Sequence, residues 1–295
     1  MKQISGIDTP VKGGMAVLKP FDIRAHSPDG YIFTRWLATL PLWTPLLIIA
    51  AIGVYPSIVY AQSGFSIDDA FGALWRWMPF LLVSGFLFNV LISFWTLVIG
   101  TCAGAALGLG QISTFGPLRA FSWFITQLFR NSPWLVILFI VLLALPFEFT
   151  IFGQTIRVPD WMKGVFGLSL PVMANISEVV RGAVQSVPTA QWEAAESLAF
   201  SRRQILWQII LPQCFKRMLP PWMNWYAILT MATPLCSLLG IEEIITLSRQ
   251  AMESEDNHPE LLVPFYGFAL LLFFLYCYPI ARLTMRLERK YAVKL

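Results

Sequence analysis

The sequence predicts an all-helical membrane protein with about six transmembrane helices and with both termini on the cytoplasmic side. The 295 residues are 57% hydrophobic and only 13% charged, whereas a soluble domain averages about 25% charged residues. The hydrophobic residues are collected into long runs, and the basic residues are collected between alternate runs. Such a composition is typical of a polytopic membrane protein that forms a single membrane domain.

Six apolar segments approach the length of about 20 residues that a helix needs to cross the hydrocarbon of a bilayer. Residues 1–35 before the first segment are polar and contain scattered Lys and Arg, so we expect a cytoplasmic N-terminal tail there. No apolar run starts before Trp36, which argues against a cleaved signal peptide. The predicted spans are 36–60, 82–109, 131–148, 164–182, 219–240 and 262–282.

The distribution of the basic residues predicts the orientation of these spans. If the N-terminus is inside, 17 of the 21 Lys and Arg residues fall in inner segments. The outer segments then contain only Arg76, Arg157, Lys163 and Arg249. Because Lys and Arg are enriched in cytoplasmic loops, this asymmetry favours both termini inside. It also places the polar segment 187–212 in the cytoplasm.

Segment 187–212 is the most patterned polar stretch of the chain, and it predicts two short helices with a break between them. Thr189 is in a position to cap the first helix. Ser201 and Gln204 fit a capping box, S-x-x-Q, at the start of the second helix. An apolar stripe follows, and Pro212 is expected to end that helix. From composition alone, a solvated amphipathic loop helix is the favoured explanation of the segment.

The spacing within this segment resembles the EAA loop of the membrane subunits of bacterial ABC importers, which reads EAA, three residues, Gly, nine residues, I-x-L-P. The matching residues are Glu193, Ala194, Ala195, Ile209, Leu211 and Pro212, and Ala199 stands where the family has Gly. Gly is favoured at such a break because a left-handed backbone costs any other residue about 1 kcal/mol or more. Ala199 therefore predicts either a small strain or a different turn.

The flanking residues are similar to those of the polar amino acid permease subfamily. Upstream lies Phe-Arg-Asn-Ser-Pro at 129–133, and Glu178-Val-Val-Arg181-Gly precedes Ser-Val-Pro at 186–188. The resemblance covers residues 80–290 and implies the transmembrane domain of a type I ABC importer. The segment 36–60 would then be an extra N-terminal transmembrane helix.

The resemblance implies that 187–212 is a coupling loop that docks into a groove on an ATPase subunit. Small Ala194 and Ala195 would let the helix seat closely, Leu198 would be an apolar anchor, and Glu193 would pair with a basic residue. Glu178 and Arg181 share a helix face, either as an ion pair that ends a span near the headgroups or as a support for the loop.

The partners implied are two cytoplasmic ABC ATPase subunits, a second permease chain of the same or a similar kind, and a periplasmic substrate-binding protein. ATP and Mg²⁺ would bind to the ATPase subunits. The chain would lie in the bacterial inner membrane, surrounded by lipid.

Other chemistry is not indicated by the sequence. No G-x-x-x-x-G-K-[ST] motif is present, so we expect no ATP hydrolysis by this chain. The only histidines, His26 and His258, are far apart, and the four cysteines lack C-x-x-C spacing. We therefore expect no metal site, no catalytic residue, no cofactor and no nucleic-acid partner. The glycines at 100, 104 and 108 predict close helix packing.

Polar residues in the fourth and fifth spans are candidates for a substrate path. Pro234 frees a carbonyl group in the helix and predicts a kink, and polar groups at such a site can line a pathway. An ordinary kink is the simpler explanation. The candidates are Asn175, Asn224, Thr233 and Ser237.

Together these observations predict the permease subunit of a bacterial ATP-driven importer for a polar amino acid or an amino-acid derivative. An importer of another small solute is the alternative within transport. A membrane scaffold or regulatory subunit is the alternative from another class. It is suggested by Ala199 in the loop and by Met231 in the fifth span, where members of the resembled family often have Lys. A secondary transporter is disfavoured by the patterned 187–212 segment.

Overall fold

The computed structural model describes residues 65–151 and 154–291. The predicted tail 1–35 and the predicted span 36–60 lie outside the described residues. The ten α-helices described are α1 (Ile67–Phe80), α2 (Leu87–Gln111), α3 (Gly116–Arg130), α4 (Trp134–Ala144), α5 (Asp160–Gln185), α6 (Thr189–Ser197), α7 (Arg202–Gln204), α8 (Leu211–Ala232), α9 (Ile244–Ser254) and α10 (Leu262–Tyr291).

Other segments join or separate these helices. Leu81–Phe86 and Ile205–Ile210 are π-helical, and Thr233–Leu239 and Pro259–Leu261 are 3₁₀-helical. An antiparallel pair of short strands, β1 (Glu148–Ile151) and β2 (Gln154–Arg157), lies between α4 and α5, with Glu148 opposite Arg157. The predicted helical class is confirmed. The short hairpin was not predicted from the sequence.

The first described helix is longer than the predicted span 82–109. It runs from Ile67 to Gln111, 45 residues, because α1, a π segment and α2 are continuous. Ser66 and Asp69 form a capping box that fixes its start. Pro79 lies just before the π segment. A widened turn accommodates a residue that has no backbone N–H to donate.

Length and apolar composition single out two helical runs in the described residues that can cross a membrane, Ile67–Gln111 and Pro259–Tyr291. Two bent pairs reach that length only if each pair is one span. They are α3 with α4, bent by 105°, and Arg202–Leu239 with α9, bent by 50°. The predicted count of six spans and their orientation therefore stay predictions.

The predicted span 131–148 is wrong as a single continuous helix. Helix α4 has 11 residues, about 16 Å at 1.5 Å per residue, which is roughly half of the hydrocarbon thickness. Helix α3 ends at Arg130, and Pro133 forces an extended backbone just before α4. Asn131 and Ser132 donate side-chain hydrogen bonds to the last carbonyl groups of α3. The short polar turn thus ends one helix and redirects the next.

The predicted glycine packing is confirmed, because α2 and α5 lie in close contact along these residues. A Cβ atom at Gly104 would lie 2.6 Å from the Met173 carbonyl oxygen and 2.8 Å from Ile176 Cβ. Gly100 and Gly108 face Val172 and Val180 in the same way. This contact lies within an apolar cluster that also includes residues of α4 and α8.

Gly104→Ala is expected to destabilise the protein, and Gly267→Ala is not. At Gly104 the added methyl group must push a backbone oxygen away, and overpacking of this kind costs about 1–3 kcal/mol. At Gly267 in α10 nothing lies within 4 Å of an added Cβ, so Ala should be neutral or stabilising by up to about 1 kcal/mol. Thermal unfolding of the two purified variants in detergent measures the difference. Equal melting temperatures would contradict the close α2–α5 contact.

A cation–aromatic contact holds the hairpin region against α5. Lys163 has a side-chain exposure of 0%, and its Nζ lies 3.2 Å from the centre of the Phe147 ring. The same Nζ is 3.5 Å from Asp160 Oδ1. Phe147 directly precedes β1, so this contact fixes the start of the hairpin.

Candidate functional site

The break after α6 is a Schellman motif, in which a left-handed residue ends the helix and two hydrogen bonds close it. Ala199 has φ 57°, so the first of the two alternatives for this residue, a strained left-handed turn, is the observed one. The Phe200 N–H donates to the Ala195 carbonyl at 3.2 Å, and the Ala199 N–H donates to the Glu196 carbonyl at 2.9 Å. This is the bonding pattern that defines the motif. The family-typical Gly would adopt the same backbone without a Cβ penalty.

Ala199→Gly is expected to stabilise the protein, whereas Ala194→Gly is expected to destabilise it. Glycine relieves the strain of a left-handed backbone at position 199, worth up to about 1 kcal/mol. Ala194 is an exposed residue within α6, where glycine costs about 0.5–1 kcal/mol. The melting temperatures of the two variants should therefore move in opposite directions. A fall in both would contradict the left-handed assignment of Ala199.

The predicted capping box at Ser201 is confirmed, and the predicted cap at Thr189 is wrong. The Ser201 hydroxyl accepts from the Gln204 N–H, and Gln204 Oε1 accepts from the Ser201 N–H at 2.9 Å. Thr189 is already the first residue of α6, and Pro188 occupies the capping position without a side-chain hydrogen bond. Proline fixes the entry into α6 by its own rigid φ, so a hydroxyl cap is not needed.

Pro212 does not end the second helix, which corrects the prediction from Leu211 and Pro212. The helical path continues from α7 through the π segment Ile205–Ile210 into α8. Pro212 lies in the first turn of α8, where a missing N–H is tolerated. The widened π turn before it shifts the hydrogen-bond register, so the proline is accommodated within a continuous path.

The inner side of the loop is bonded to the helices that carry it. An apolar cluster joins the end of α5, the loop and the start of α8, and its fully buried members include Ile205, Ile210 and Cys214. Arg217 of α8 donates to the Ser186 carbonyl at 2.6 Å. Because these contacts cross from α5 to α8, a force applied to α6 acts on both helices together.

The outer side of the loop presents a small set of the predicted coupling residues. Glu193 and Ala194 are exposed, and Leu198 is 73% exposed although it is a large apolar residue. Ala195 is only 4% exposed and packs into the inner cluster. Ala195 therefore supports the helix from behind, while Ala194 is the small residue on the free face. Ile209 and Leu211 are half-buried, and Pro212 is exposed.

Glu178 and Arg181 share a helix face as predicted, and the structure adds a third group. Arg181 donates to both carboxylate oxygens of Glu178, at 3.2 Å and 2.6 Å. Arg130, the last residue of α3, lies 3.3 Å from the same carboxylate. The ion pair therefore joins α3 to α5 about two turns before the end of α5. Gln111 at the end of α2 adds hydrogen bonds to Thr126 and Ser177 beside it.

A cavity of about 470 Å³ opens next to this cluster. It is lined by Arg130 and Glu178 and also by Asn175 and Arg217. Asn175 is one of the predicted substrate-path residues. Its amide donates to the Pro171 carbonyl of its own helix at 2.8 Å. Asn175 is only 8% exposed, whereas the Arg130 side chain in the same lining is 45% exposed.

The other predicted substrate-path residues are not gathered at this cavity. Asn224 is exposed on α8. Thr233 is buried and donates to the Thr230 carbonyl. Ser237 is half-buried and donates to the Pro234 carbonyl. A kink was predicted at Pro234. The structure has a 3₁₀-helix from Thr233 to Leu239 that is capped by Gly240 with φ 76°, so the helix type changes at this proline.

A buried network that the sequence did not indicate connects α2 to the break before α9. Asn89 Nδ2 donates to Glu243 Oε2 and to Thr233 Oγ1, both at 2.9 Å, and Asn89 Oδ1 accepts from the Ile244 N–H. Glu243 is 0% exposed and caps α9 by accepting from two backbone N–H groups. A Glu at a helix start was the available signal, but its partner is 154 residues away in sequence.

The sequence of this chain matches a known protein family and several of its curated members. Residues 100–291 match the family described as binding-protein-dependent transport system inner membrane component. The probable amino-acid ABC transporter permease protein y4tF of Sinorhizobium fredii is 31% identical over 190 residues, 63% of this chain and 80% of the relative. The L-cystine transport system permease protein TcyB of Bacillus subtilis is 26% identical over 211 residues, 71% of this chain and 86% of the relative.

Solved structures share the fold. The crystal structure of an amino acid ABC transporter with histidines has a TM-score of 0.62 and 22% identity, covering 74% of this chain and 96% of that chain. The inward-facing MetNI methionine ABC transporter has a TM-score of 0.58 and 17% identity, covering 73% and 98%. The matched range contains α5, the loop and α8, and the chain belongs to the family of binding-protein-dependent transport system inner membrane components.

Proposed function

We propose that this chain is the permease subunit of a bacterial ATP-driven importer for a polar amino acid or an amino-acid derivative. The observation that carries the proposal is the loop after α5. Its free face presents Glu193, Ala194 and Leu198, and its other face is packed onto α5 and α8. Relatives with 26–31% identity are permease proteins of amino-acid and L-cystine transport systems.

In the proposed assembly two ATPase subunits bind ATP and Mg²⁺ on the cytoplasmic side, and the loop of each permease chain docks into one of them. A second permease chain, the same or similar, completes the pathway, and a periplasmic binding protein delivers the solute. The chain spans the inner membrane six times with both termini inside, in accord with the positive-inside rule. Leu198, which is 73% exposed on the free face of α6 beside Glu193, would supply the apolar contact of this docking.

Coupling follows from rigidity. Closure of the ATPase subunits moves α6, and α6 cannot move alone because Ala195 and the apolar cluster tie it to α5 and α8. The Glu178 ion pairs carry the same motion to α3 through Arg130. The cavity beside these groups would be opened to one side of the membrane or the other by that motion. Asn175, which lines it, is the predicted substrate-path residue best placed to meet a solute there.

The proposal is tested by ATP-dependent uptake into vesicles. The chain is co-expressed with the ATPase, the partner permease and the binding protein encoded beside it, and a panel of labelled amino acids and derivatives is offered. Uptake of one ligand that requires ATP supports the proposal. Assembly of the complex without uptake of any amino acid or derivative would overturn the substrate class. Uptake that continues after ATP depletion would overturn ATP-driven import.

A further inference from the structure

A basic cavity of about 420 Å³ lies between the end of α2 and the start of the second loop helix. Its charged lining consists of Arg202 and Arg203, and Ser113 and Thr114 contribute hydroxyl groups. No acidic residue lines it. Within residues 65–151 and 154–291, neither arginine forms an ion pair. The cavity thus has two uncompensated positive charges and suits an anion.

An apolar groove of about 470 Å³ continues from this cavity. The two share Leu109 and Trp207 in their walls. The groove has a single side-chain hydroxyl, that of Thr101, and this hydroxyl already accepts a hydrogen bond from Trp222 Nε1 at 2.8 Å. Apart from Thr101 and the Trp222 indole N–H bonded to it, the groove is lined by apolar side chains. It therefore suits an apolar chain.

The length of the groove matches one leaflet of a bilayer. Along α2 the lining runs from Thr101 to Leu109, about 12 Å at 1.5 Å per residue. One leaflet contributes about 15 Å of the hydrocarbon thickness. The basic cavity lies at the loop end of the groove, and it is flanked by Trp192 and Trp207, a residue type enriched at membrane interfaces.

We propose that the cavity and the groove together bind an anionic phospholipid of the cytoplasmic leaflet. The phosphate group lies between Arg202 and Arg203 and accepts hydrogen bonds from Ser113 and Thr114, and one acyl chain lies in the groove. The leaflet assignment rests on the proposed orientation, in which the loop is cytoplasmic. Basic pockets of this kind between transmembrane helices bind anionic headgroups.

The lipid would add a polar bridge between two parts of the chain that already share an apolar contact through Ile112. Ser113 and Thr114 follow α2, whereas Arg202 and Arg203 begin the helical path into α8. A bound anionic lipid bridges them through its phosphate. It would thereby reinforce the rigid connection between the loop and the membrane helices.

The test is lipid binding to the assembled permease–ATPase complex, measured by native mass spectrometry with phosphatidylglycerol against phosphatidylcholine at equal mole fraction. The wild-type complex is expected to retain phosphatidylglycerol preferentially. One basic residue near an anionic headgroup is worth about fivefold in affinity, so Arg202→Gln with Arg203→Gln should lower phosphatidylglycerol binding by roughly 25-fold. The matched control, Arg286→Gln with Arg289→Gln, removes the same charge from exposed positions of α10 and should change binding less than about twofold.

Four results would overturn the proposal. They are equal retention of the two lipids by the wild type, unchanged phosphatidylglycerol binding in the arginine double variant, displacement of the lipid by excess inorganic phosphate, and lipid binding only when the ATPase subunits are absent. The third would indicate a soluble anion site, and the fourth would assign the arginines to the protein interface. Should the double variant fail to assemble, Ala106→Trp, which fills the cavity from an exposed position on α2, provides the same loss of phosphatidylglycerol preference. All readouts are independent of uptake.

Discussion

Glu193→Lys is expected to lower ATP-driven uptake by at least about tenfold, while the complex remains assembled. Glu193 is exposed on the free face of α6, and among the described residues its carboxylate has no partner within this chain. Reversing its charge therefore leaves the fold of the permease unchanged. In the proposed docking, the change would replace an attraction to a basic group of the ATPase subunit by a repulsion, and like charges placed together at an interface cost several kcal/mol.

The matched control is Glu288→Lys, which makes the same charge reversal on an exposed residue of α10. It should transport at the wild-type rate. Uptake and co-purification of the ATPase subunits are measured together for both variants. Wild-type uptake in Glu193→Lys would remove the coupling role of this residue, and loss of the ATPase subunits would show a recruitment role in place of a coupling role.

Glu243→Ala is expected to produce the largest loss of stability of any single replacement discussed for this chain. The carboxylate accepts hydrogen bonds from Asn89 Nδ2 and from the N–H groups of Ile245 and Thr246, at 2.9 Å to 3.0 Å. The Ile245 and Thr246 N–H groups lose their side-chain acceptor, whereas Asn89 Nδ2 keeps Thr233 Oγ1. Each buried donor left without a partner costs about 1–3 kcal/mol, so the total is expected to be about 2–6 kcal/mol. The loss also removes one of the two links between Asn89 and the start of α9, because the hydrogen bond from the Ile244 N–H to Asn89 Oδ1 does not involve Glu243.

Glu242→Ala is the control, because Glu242 is the neighbouring acid and is exposed. It should change the melting temperature little, since exposed replacements usually stay within about 0.5 kcal/mol. Thermal unfolding in detergent compares the two alanine variants. Glu243→Gln, which keeps the shape and most of the acceptor capacity, should be intermediate. Equal stability of Glu242→Ala and Glu243→Ala would contradict the buried network.

Local sequence signals predicted the break between the two loop helices, because its chemistry is local. The capping box at Ser201 and the conflict at Ala199 both concern atoms within five residues of each other, so spacing alone could indicate them. The three glycines in α2 likewise predict a close helix contact, because a small residue at every fourth position forms one continuous face. The family resemblance, which also depends on spacing, is confirmed by the match over residues 100–291.

Hydropathy was a weaker guide to where helices bend. A sliding apolar run cannot distinguish a straight span from α3 and α4, which meet at 105°, because the turn at 131–133 has few residues and the runs on both sides are apolar. It also missed α9. For Pro212, the sequence rule that proline ends a helix failed because a π turn takes up the misfit.

The sequence by itself determined the family of the protein, the position of the loop along the chain and the chemistry of the break at Ala199 and Ser201, because those depend on composition and on spacing along the chain. Only the tertiary structure decided which side of α6 is free, how Arg130 joins the Glu178 pair, and that Asn89 meets Glu243 across 154 residues. The same holds for the basic cavity, whose walls come from α2 and from the loop. The physical reason is that burial and long-range pairing depend on how distant helices pack, and no local pattern specifies that packing.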